Sequence, residues 1–499
     1  MKITFVASEV VPYSKTGGLG DVIGSLPAAL AEEGHEVSII SPEYRMVRRN
    51  ADRSGLELEE VDLPEVHVPL GDFDQAAEVS RGRLPHSEVD VYFLKKDQYY
   101  DRPGLYTRPE DESDYQDNSE RFIFLCRGAL ELLNTLGEKP DIIHAHDWQT
   151  GLVPVYLDRV YREQFPETAS AFTVHNLAYQ GLFWHWDMKL TGLPWELFNW
   201  KMLEYYGNLS LLKAGLVGGD VVTTVSEQYA REIQTEEYGM GMHGVFRERS
   251  GDLFGIVNGV DYRVWDPSDD ERIERNYDPD DLSGKAECKR ALQSEFELPE
   301  EENTPLIGMV GRLVEQKGID IVAEGMSEIL RRGLQVVILG TGEPRYHDML
   351  SKLAEKYPEN VGLYLGFDEP MAHRIEAGAD MFLMPSRFEP CGLNQLYSLR
   401  YGTVPIATAT GGLVDTIVDY REDAGTERQS TGFLFSNPSV VDMVEAVDRA
   451  VRVYKNDPEE WENMMVRGMR QDWSWKRSAV EYEEVYGEAL DRLGENPAD

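Results

Sequence analysis

Two fixed cations, Arg312 and Lys317, lie within residues 311–318, directly after a β-branched run and before a helical pattern. Arginine binds phosphate oxygens bidentately and lysine adds a point charge beside it, so the pair can hold a diphosphate. A diphosphate leaving group needs such neutralisation when no metal is present. Two surface salt bridges are the alternative interpretation of these residues.

Residues 385–395 offer a second kind of chemistry, because Glu389 stands beside a run of backbone amides at a predicted helix N-terminus. The carboxylate accepts hydrogen bonds and the amides donate them, so together they can hold several hydroxyls of one sugar. A glutamate that only caps the helix is the alternative. No histidine adjoins Cys391 in the sequence, and we therefore interpret this thiol as a small packing residue, not as a nucleophile.

A glycine-rich turn, residues 14–21, follows the first predicted strand and leads into a helix. Its glycines let backbone N–H groups approach a ligand, the helix N-terminus favours an anion, and Lys15 can meet a phosphate. It is not a Walker A loop, because the order G-K-[ST] is missing, and it is not a dinucleotide fingerprint, because Ile23 stands where a third glycine is required. A structural turn is the alternative.

Two more predicted strands end in polar residues, at 144–148 (HAHDW) and at 174–177 (VHNL). Ligands of doubly wound domains bind outside the carboxyl ends of the strands, which makes both ends candidates for a site. The His-x-His pair invites a metal interpretation, but a zinc site needs third and fourth ligands, and none stands at a suitable spacing. We therefore expect no metal.

These candidates require strands that bring them to one edge, and the chain alternates short β-branched runs with helical patterns throughout. The fold class is therefore α/β, with two doubly wound parallel-sheet domains and a ligand site in the cleft between them. Residues 57–106 are expected to add strands or a hairpin. The predicted strands are 3–7, 36–40, 142–145, 171–174, 221–225 and 255–257 in the first half, and 306–310, 335–339, 362–365, 381–384, 404–407 and 432–435 in the second.

The chain length sets the number of domains, because 499 residues exceed the roughly 250–300 that one core accommodates. Residues 261–302 are dense in Asp, Glu, Pro and Ser, which marks the boundary. We predict an N-terminal domain over 1–260, an acidic linker over 261–302, a C-terminal domain over 303–471 and a closing helical segment over 472–499.

The charge is strongly negative, with 90 acidic and 49 basic residues and a formal net charge of −41. Nucleic acid and anionic membranes repel such a chain, so we expect neither as a partner. We interpret the acidity as an adaptation to concentrated salt, where self-repulsion is screened within a few ångströms; an ordinary acidic surface is the alternative.

Three widely spaced cysteines exclude a disulfide framework, and no signal peptide or membrane-spanning run is visible, so we expect a cytoplasmic protein.

Seven motifs occur along the chain in order: KTGGLGD, HAHDW, FTVHNLAYQG, NGVD, GRLVEQKG, PSRFEPCGLNQLYSLRYG and TGFLF. Together they resemble the bacterial glycogen synthase and plant starch synthase family of retaining glucosyltransferases, over residues 1 to about 486. The resemblance implies a GT-B fold of two Rossmann-like domains, with a last helix that crosses back to the first. It implies transfer of glucose from ADP-glucose to the non-reducing 4-hydroxyl of an α-1,4-glucan (glycogen or maltooligosaccharides), with no cofactor. The oligomeric state stays open.

The resemblance also implies roles for the matching positions of this sequence. The two cations would neutralise the departing ADP, Glu389 and its neighbouring amides would hold the donor glucose, and an aromatic ring would stack on adenine where relatives often have tyrosine. The implied catalytic residues are Lys15, His175, Arg312, Lys317 and Glu389; the donor-binding residues are Gly18, Asp21, Asn258, Phe367, Cys391, Gly392 and Leu393; the acceptor-binding residues are Tyr100 and Asp147.

Several rival functions fit part of these observations. A related transferase that uses UDP-glucose or another acceptor shares the fold and the cation pair, and a catalytically silent glucan-binding protein is a second alternative. A phosphorylase would need a pyridoxal phosphate lysine that no motif indicates, and a dehydrogenase lacks its fingerprint. Two routes to retention stay open. Double displacement needs a second carboxylate as nucleophile, and the motifs offer no obvious candidate. Front-face attack, in which the leaving phosphate takes the acceptor proton, is the usual interpretation for the fold that the resemblance implies.

Overall fold

The computed structural model describes residues 1–111, 113–421, 425 and 428–495, and the chain divides into two compact units. Unit 1 comprises residues 1–259 together with the segment that begins at Trp475, and unit 2 comprises residues 260–474. The predicted domain edges at residues 260 and 472 therefore lie within three residues of the observed ones.

Short strands build the sheets of unit 1, and most of those in its main sheet are buried because helices cover both faces. They are β1 (Lys2–Val6), β2 (Glu36–Pro42), β3 (Glu59–Glu60), β4 (Val66–Leu70), β5 (Phe73–Arg83), β6 (Asp90–Lys95), β7 (Ile142–His146), β8 (Ala169–Val174), β9 (Leu182–Trp184), β10 (Glu204–Tyr205), β11 (Asn208–Ser210), β12 (Val221–Thr224) and β13 (Leu253–Gly255).

The main sheet has the order β13-β12-β8-β7-β1-β2-β6-β5-β3, with β4 paired to β5, and the strands from β13 to β6 run parallel. The strands expected within residues 57–106 are β3 to β6, which extend the sheet through antiparallel pairs. β9, β10 and β11 form a separate small sheet. The strand predicted at 255–257 is displaced, because the ladder with β12 ends at Gly255.

Helices follow most strands of unit 1. They are α1 (Gly18–Glu32), α2 (Arg45–Arg53), α3 (Asp97–Tyr100), α4 (Asn118–Leu136), α5 (Leu152–Arg159), α6 (Met188–Thr191), α7 (Leu211–Gly218), α8 (Glu227–Glu232) and α9 (His243–Glu248).

Unit 2 is an alternating α/β domain with one parallel sheet. Its strands are β14 (Leu306–Leu313), β15 (Gln335–Gly342), β16 (Val361–Leu365), β17 (Met381–Met384), β18 (Val404–Thr408) and β19 (Phe433–Phe435). Its helices are α10 (Ser283–Glu295), α11 (Ile319–Leu330), α12 (Pro344–Lys356), α13 (Glu369–Gly378), α14 (Asn394–Arg400), α15 (Gly412–Thr416), α16 (Val440–Asn456) and α17 (Pro458–Met469). The sheet order β16-β15-β14-β17-β18-β19 is the 3-2-1-4-5-6 order of a Rossmann fold.

The last helix, α18 (Trp475–Glu495), belongs to unit 1, where it contacts α1, β8 and β12. The Tyr486 hydroxyl lies 2.9 Å from His144 Nδ1, inside the core. This contact ties the C-terminal helix to β7, the strand that leads into one of the candidate site segments. Within the described part of the chain, no helix is long and apolar enough to cross a bilayer.

Residues 261–302 do not form the separate acidic linker that the composition suggested, because they fold as part of unit 2. Tyr277 and Cys288 are buried in a cluster with Ala377, and α10 packs against α13. The carboxylates of Asp266, Asp270 and Asp278 accept hydrogen bonds from backbone amides two residues further on. The acidic composition therefore reflects a series of tight turns and not a flexible connection.

Lys285 ties this segment to α13 and to the chain between α14 and β18. Its ammonium group is buried and donates to the carbonyls of Ala377 and Tyr401, both at 3.0 Å, and to Thr403 Oγ1 at 2.7 Å. Burial lowers the pKa of Lys285 to about 8, although neighbouring carboxylates oppose the shift. With a pKa of about 8, Lys285 remains mostly charged at pH 7.

We expect Lys285→Met to lower the free energy of unfolding by about 2–4 kcal/mol, because three buried oxygens lose the charged donor that they share. The urea transition of unit 2, followed by fluorescence, measures this change. Lys352→Met, at an exposed position of α12, is the matched control and should stay within about 0.5 kcal/mol of the parent. Equal stability of the two variants would contradict the role given to Lys285.

Candidate functional site

The centre of the unit 2 sheet brings together the residues that the sequence singled out in the second half. From β14 the chain continues towards β15 on one side, and from β17 it continues towards β18 on the other, so the loops after these neighbouring strands diverge and leave a crevice. Arg312 and Lys317 come from the end of β14 and the turn after it, and Glu389 comes from the loop after β17.

Lys317 and Glu389 form an ion pair, with 2.6 Å between Nζ and Oε2. The Ser386 hydroxyl donates to the same Oε2 at 2.9 Å, and Glu389 is only 5% exposed. Arg312 is exposed and lines one cavity together with Lys317 and Ser386. A fixed carboxylate beside two cations can accept hydroxyl hydrogen bonds while the cations face a phosphate.

The Glu389 loop is held by Gly411 and Gly412, which sequence analysis missed. The Gly412 amide donates to the carbonyl oxygens of Glu389 at 3.1 Å and Pro390 at 3.2 Å. Gly411 has φ +45°, and a Cβ there would lie 2.0 Å from the Glu389 carbonyl oxygen. The available signal was the pair of glycines in the turn shortly after the strand predicted at 404–407, because paired glycines often mark a close approach of two backbones.

The three donor-binding residues predicted after Glu389 lead into α14. Gln395 Nε2 donates to the carbonyl oxygens of Cys391 and Gly392, both at 3.0 Å, which fixes these peptide groups. Gly392 adopts φ +73°, and Leu393 immediately precedes the helix. Cys391 is 5% exposed, in keeping with the packing role predicted for its thiol.

Phe367 follows β16 and is 79% exposed. β16 is two strands from β14 in the same parallel sheet, so the ring lies at the carboxyl edge that also carries Arg312. Stacking on adenine stays a prediction for this residue. An exposed ring at a ligand-binding edge has the free face that such stacking requires.

In unit 1, β1 and β7 form a second divergence point, and the glycine-rich loop leaves β1 there. Lys15 Nζ lies 2.6 Å from Asp21 Oδ1, and α1 begins at Gly18. Lys15 keeps 44% of its side chain exposed. The loop therefore presents a lysine and a helix N-terminus on one side of the sheet, as an anion site requires.

Glu9, which the sequence did not single out, holds this loop in place. It is 3% exposed, and its carboxylate accepts from the Thr16 amide at 2.5 Å and the Thr16 hydroxyl at 2.6 Å. The Gly17 amide at 3.3 Å and the Tyr106 hydroxyl at 2.7 Å complete the set. A buried carboxylate with several donors fixes the loop conformation.

His175 follows β8 and lies next to His146 at the end of β7, with 3.0 Å between His175 Nε2 and His146 Nδ1. Burial lowers the pKa of His175 to about 3, so the imidazole is neutral near pH 7. A neutral imidazole donates or accepts a hydrogen bond but does not act as a cationic acid. This suits contact with a sugar hydroxyl.

Asp147 is strained and has a raised pKa. Its backbone lies at φ +57° and ψ −177°, a region that is essentially restricted to glycine, and such strain concentrates at functional sites. Its Oδ1 accepts from the His175 amide at 2.8 Å. Burial raises the pKa of the Asp147 carboxyl to about 7, although this amide and that of Asn176 oppose the shift.

The raised pKa of Asp147 predicts a pH-dependent stability difference from the variant Asp147→Asn. The folded protein binds the extra proton between the unfolded pKa near 4 and the folded pKa near 7, so the contribution of Asp147 to stability is present below pH 4 and is lost as the pH rises through 7. Asparagine cannot ionise and keeps an oxygen acceptor. We expect the stability of the variant relative to the parent to improve by about 2–3 kcal/mol from pH 5 to pH 8, measured by urea unfolding. A difference that is constant with pH would show that Asp147 ionises normally.

Tyr100, predicted to bind the acceptor, lies in the core instead. It is fully buried at the end of α3, and its hydroxyl donates to the Arg121 carbonyl at 2.9 Å. Tyr100 therefore has a structural role and not the predicted acceptor role, because its ring packs in an aromatic cluster with Tyr44 and Phe124.

Asn258, predicted to bind the donor, follows β13 and is 5% exposed. Its buried Oδ1 has no hydrogen-bond partner within residues 1–111, 113–421, 425 and 428–495. An amide oxygen without a partner is costly in a folded protein, and a bound hydroxyl would satisfy it.

No cluster of three or more His, Cys, Asp or Glu side chains in the described residues is arranged for a metal ion.

Comparison with known proteins adds independent findings. Residues 2–248 match the family of the starch synthase catalytic domain, and residues 292–464 match that of glycosyl transferases group 1. A glycogen synthase of Anaeromyxobacter sp. is 47% identical over 97% of this chain and 99% of its own, and one of Thermotoga maritima is 43% identical over 99% and 100%. The catalytic domain of starch synthase IV from Arabidopsis thaliana, solved with ADP and acarbose, superposes with a TM-score of 0.90 at 33% identity, over 98% of this chain and 99% of that one.

Proposed function

Since the chain belongs to the glycogen and starch synthase family of GT-B glycosyltransferases, which extend an α-1,4-glucan, we propose that its glucosyl donor is ADP-glucose. The meeting of Arg312, Lys317 and Glu389 at the centre of the unit 2 sheet carries transfer from a nucleoside diphosphate sugar, and the choice of ADP rests on the family. ADP in the starch synthase IV structure supports the nucleotide. The acceptor is the non-reducing 4-hydroxyl of the glucan.

The unit 2 residues stabilise the charge that develops on the departing ADP. Arg312 and Lys317 interact with the diphosphate oxygens, and this interaction strengthens as the bond between glucose C1 and the phosphate oxygen breaks. Glu389 and the amides of Cys391, Gly392 and Leu393 hold the glucose hydroxyls, and Phe367 stacks on the base. Lys317 pairs with Glu389, so sugar hydroxyls that bind the carboxylate share it with this cation.

The unit 1 residues act in the same reaction. Lys15 and the amide end of α1 at Gly18 interact with the diphosphate, while Asp21 orients Lys15. Neutral His175 hydrogen-bonds a hydroxyl of the transferred glucose, and the amide oxygen of Asn258 accepts from another. Asp147 lies on the acceptor side, where its carboxyl also fixes the His175 backbone.

Retention of configuration follows from front-face attack. The bond from C1 to the phosphate oxygen breaks, the acceptor 4-oxygen bonds to C1 on the same face, and the leaving phosphate oxygen takes the hydroxyl proton. This route needs fixed cations and dipoles and no carboxylate nucleophile, which agrees with the Arg312 and Lys317 pair. It also needs no cofactor or metal, because the two cations supply the positive charge; full activity in excess EDTA is the expected result.

The donor is tested by comparing kcat/KM for ADP-glucose and UDP-glucose with maltoheptaose as acceptor. We expect ADP-glucose to be preferred and the product to contain only α-1,4 linkages by NMR. A preference for UDP-glucose would keep the fold and the reaction but overturn the donor. Glucan binding without transfer from either donor would favour a silent glucan-binding protein.

The net charge of −41 leads us to propose a protein adapted to concentrated salt. Raising KCl from 0.1 M to 2 M should raise Tm by roughly 10 °C, because the Debye length falls below the spacing of surface carboxylates. Scanning calorimetry measures this shift. A maximum of Tm near physiological salt would contradict the adaptation.

The three buried cysteine thiols suit a reducing compartment, and we propose that the enzyme works in the cytoplasm.

A further inference from the structure

Three histidine rings lie side by side in unit 1, and the proposed function gives a role to only one of them. His144 and His146 are fully buried in β7, with 4.0 Å between their ring centroids. His175, which follows the paired strand β8, is partly exposed and contacts His146. The hydrogen bonds of these rings decide which nitrogen of His175 carries its proton.

Neither ring of the pair His146 and His175 is charged near pH 7. Burial and the adjacent imidazoles of His144 and His175 hold the pKa of His146 well below its usual range. Burial lowers the pKa of His175 to about 3. A neutral imidazole has one N–H donor and one bare nitrogen acceptor. The contact of 3.0 Å between His146 Nδ1 and His175 Nε2 therefore contains one hydrogen, which belongs to one of the two rings.

The other nitrogen of His146 decides between the two arrangements. His146 Nε2 is buried and has no hydrogen-bond partner within the described part of the chain. If His175 donated to His146 Nδ1, the proton of His146 would lie on Nε2, as a buried N–H without an acceptor, which is rare in folded proteins. If His146 donates through Nδ1, only a lone pair stays unpaired, which proteins tolerate more often. The second arrangement is therefore favoured.

This arrangement gives His175 a defined polarity at the site. Its Nε2 accepts from His146, so its own proton lies on Nδ1. Nδ1 has no hydrogen-bond partner among the residues that the structure describes, and the His175 side chain is not fully buried. His175 can then donate a hydrogen bond to an oxygen of the transferred glucose but cannot accept one from a hydroxyl.

The end of β7 holds His175 at two points. His146 contacts the ring, and Oδ1 of the next residue, Asp147, accepts from the His175 amide at 2.8 Å. The plane of the His146 ring is fixed in turn by Phe5, which stacks on it with 5.5 Å between centroids and 10° between planes. A donor that is held in this way loses little freedom when a ligand binds.

We propose that His146 is a positioning residue, which holds His175 as the Nδ1–H tautomer so that His175 donates a hydrogen bond to the transferred sugar. The inference deepens the proposed function, because it rests on the contact between His175 and the donor glucose, and it does not depend on the nucleotide. His144 takes no part, since both of its nitrogens are bonded to hydroxyls, those of Tyr486 at 2.9 Å and Thr173 at 2.6 Å.

Nitrogen-15 NMR of the histidine-labelled protein, without substrate, reads the tautomer directly, and His175→Ala identifies the His175 signals by their loss. In the parent we expect the His175 proton on Nδ1 from pH 6 to pH 8. In His146→Phe, which keeps a flat ring but removes the donor, the proton should move to Nε2 or exchange between both nitrogens. A proton on Nε2 in the parent, or an unchanged Nδ1–H signal in His146→Phe, would overturn the proposal.

Steady-state rates show whether the tautomer matters for the reaction. His146→Phe should lower kcat/KM for the donor about tenfold, the size of one lost hydrogen bond. His146→Asn places an amide where Nδ1 was and should recover most of this loss, whereas the amide of His146→Gln extends past that position and should not. In the His175→Ala background, His146→Phe should add less than about a twofold change, because it acts only through His175.

Tyr486→Phe is the matched control, because it removes a buried hydrogen bond from the neighbouring ring of His144 and leaves the pair of His146 and His175 intact. It should lower Tm by an amount similar to His146→Phe but keep kcat/KM within about twofold of the parent. Equal losses of activity in these two variants, or an undiminished effect of His146→Phe in the absence of His175, would show that His146 only supports the fold and would overturn the proposal. A parent that shows the Nδ1–H signal but transfers nothing from ADP-glucose would overturn the proposed donor and not the tautomer.

Discussion

Lys317→Met is expected to lower kcat for glucose transfer by about 10²–10³-fold, with a smaller change in KM for the donor. The ammonium lies 2.6 Å from Glu389, at the edge of the cavity lined by Arg312. Its interaction with the diphosphate grows as ADP leaves, so its loss raises the barrier more than it weakens ground-state binding. Glu389→Gln should have an effect of similar size, because the amide cannot both accept from glucose hydroxyls and attract Lys317.

Arg374→Met is the matched control for Lys317→Met. Arg374 also forms an ion pair in unit 2, with Glu295 at 2.8 Å, and takes no part in the proposed reaction. Its removal should leave kcat within about twofold of the parent and cost at most about 1 kcal/mol of stability. The effects of Lys317→Met and Glu389→Gln should be far from additive in the double variant, since both act on one pair. Additive losses would contradict the paired role.

Gly411→Ala is expected to reduce activity by at least about 10²-fold and to lower the unfolding free energy by more than about 2 kcal/mol. The new Cβ would lie 2.0 Å from the Glu389 carbonyl oxygen, at a backbone conformation of φ +45° that alanine adopts poorly. The contacted atom belongs to the backbone of Glu389 and cannot rotate away as the end of a flexible side chain can. The Glu389 loop must therefore shift. A displacement of about 1 Å at a reacting centre costs roughly 10²-fold in rate.

Gly333→Ala separates the steric contact from the backbone strain. Gly333 has φ +67°, but among the described residues other than its chain neighbours, only the Lys455 ammonium nitrogen lies within 4 Å of the position that a Cβ would take, at 3.8 Å. This control should lose about 1–2 kcal/mol of stability and keep its kcat. Steady-state rates with urea titrations distinguish the two variants. Equal kcat in both would show that Gly411 does not position Glu389.

The sequence predicted the α/β architecture well, because parallel strands covered on both faces leave a clear β-branched signal. It also located the cations and Glu389, since residues that act at a switch point must follow the strands β14 and β17. The small sheet of β9, β10 and β11 escaped prediction. Its strands have only two or three residues, too few to establish a period of two.

The remaining errors concern contacts that link distant parts of the chain. Tyr100 was placed near the acceptor by its motif, but packing with Tyr44 and Phe124 decides where it lies. The role of Gly411 depends on a backbone approach from a loop twenty-two residues earlier, and Glu9 acts through amides that any residue type could supply. Such relations depend on tertiary geometry, which residue types and spacing do not encode locally.

Incubation of the protein with ADP-glucose and maltoheptaose in high salt, with parallel measurement of released ADP and of chain length, tests the central claim most directly. The account predicts one ADP released for each glucose added, products of eight and more units, and loss of both signals in Glu389→Gln but not in Arg374→Met. Chain extension that persists in Glu389→Gln at the parental rate, or no extension from ADP-glucose by the parent protein, would contradict it.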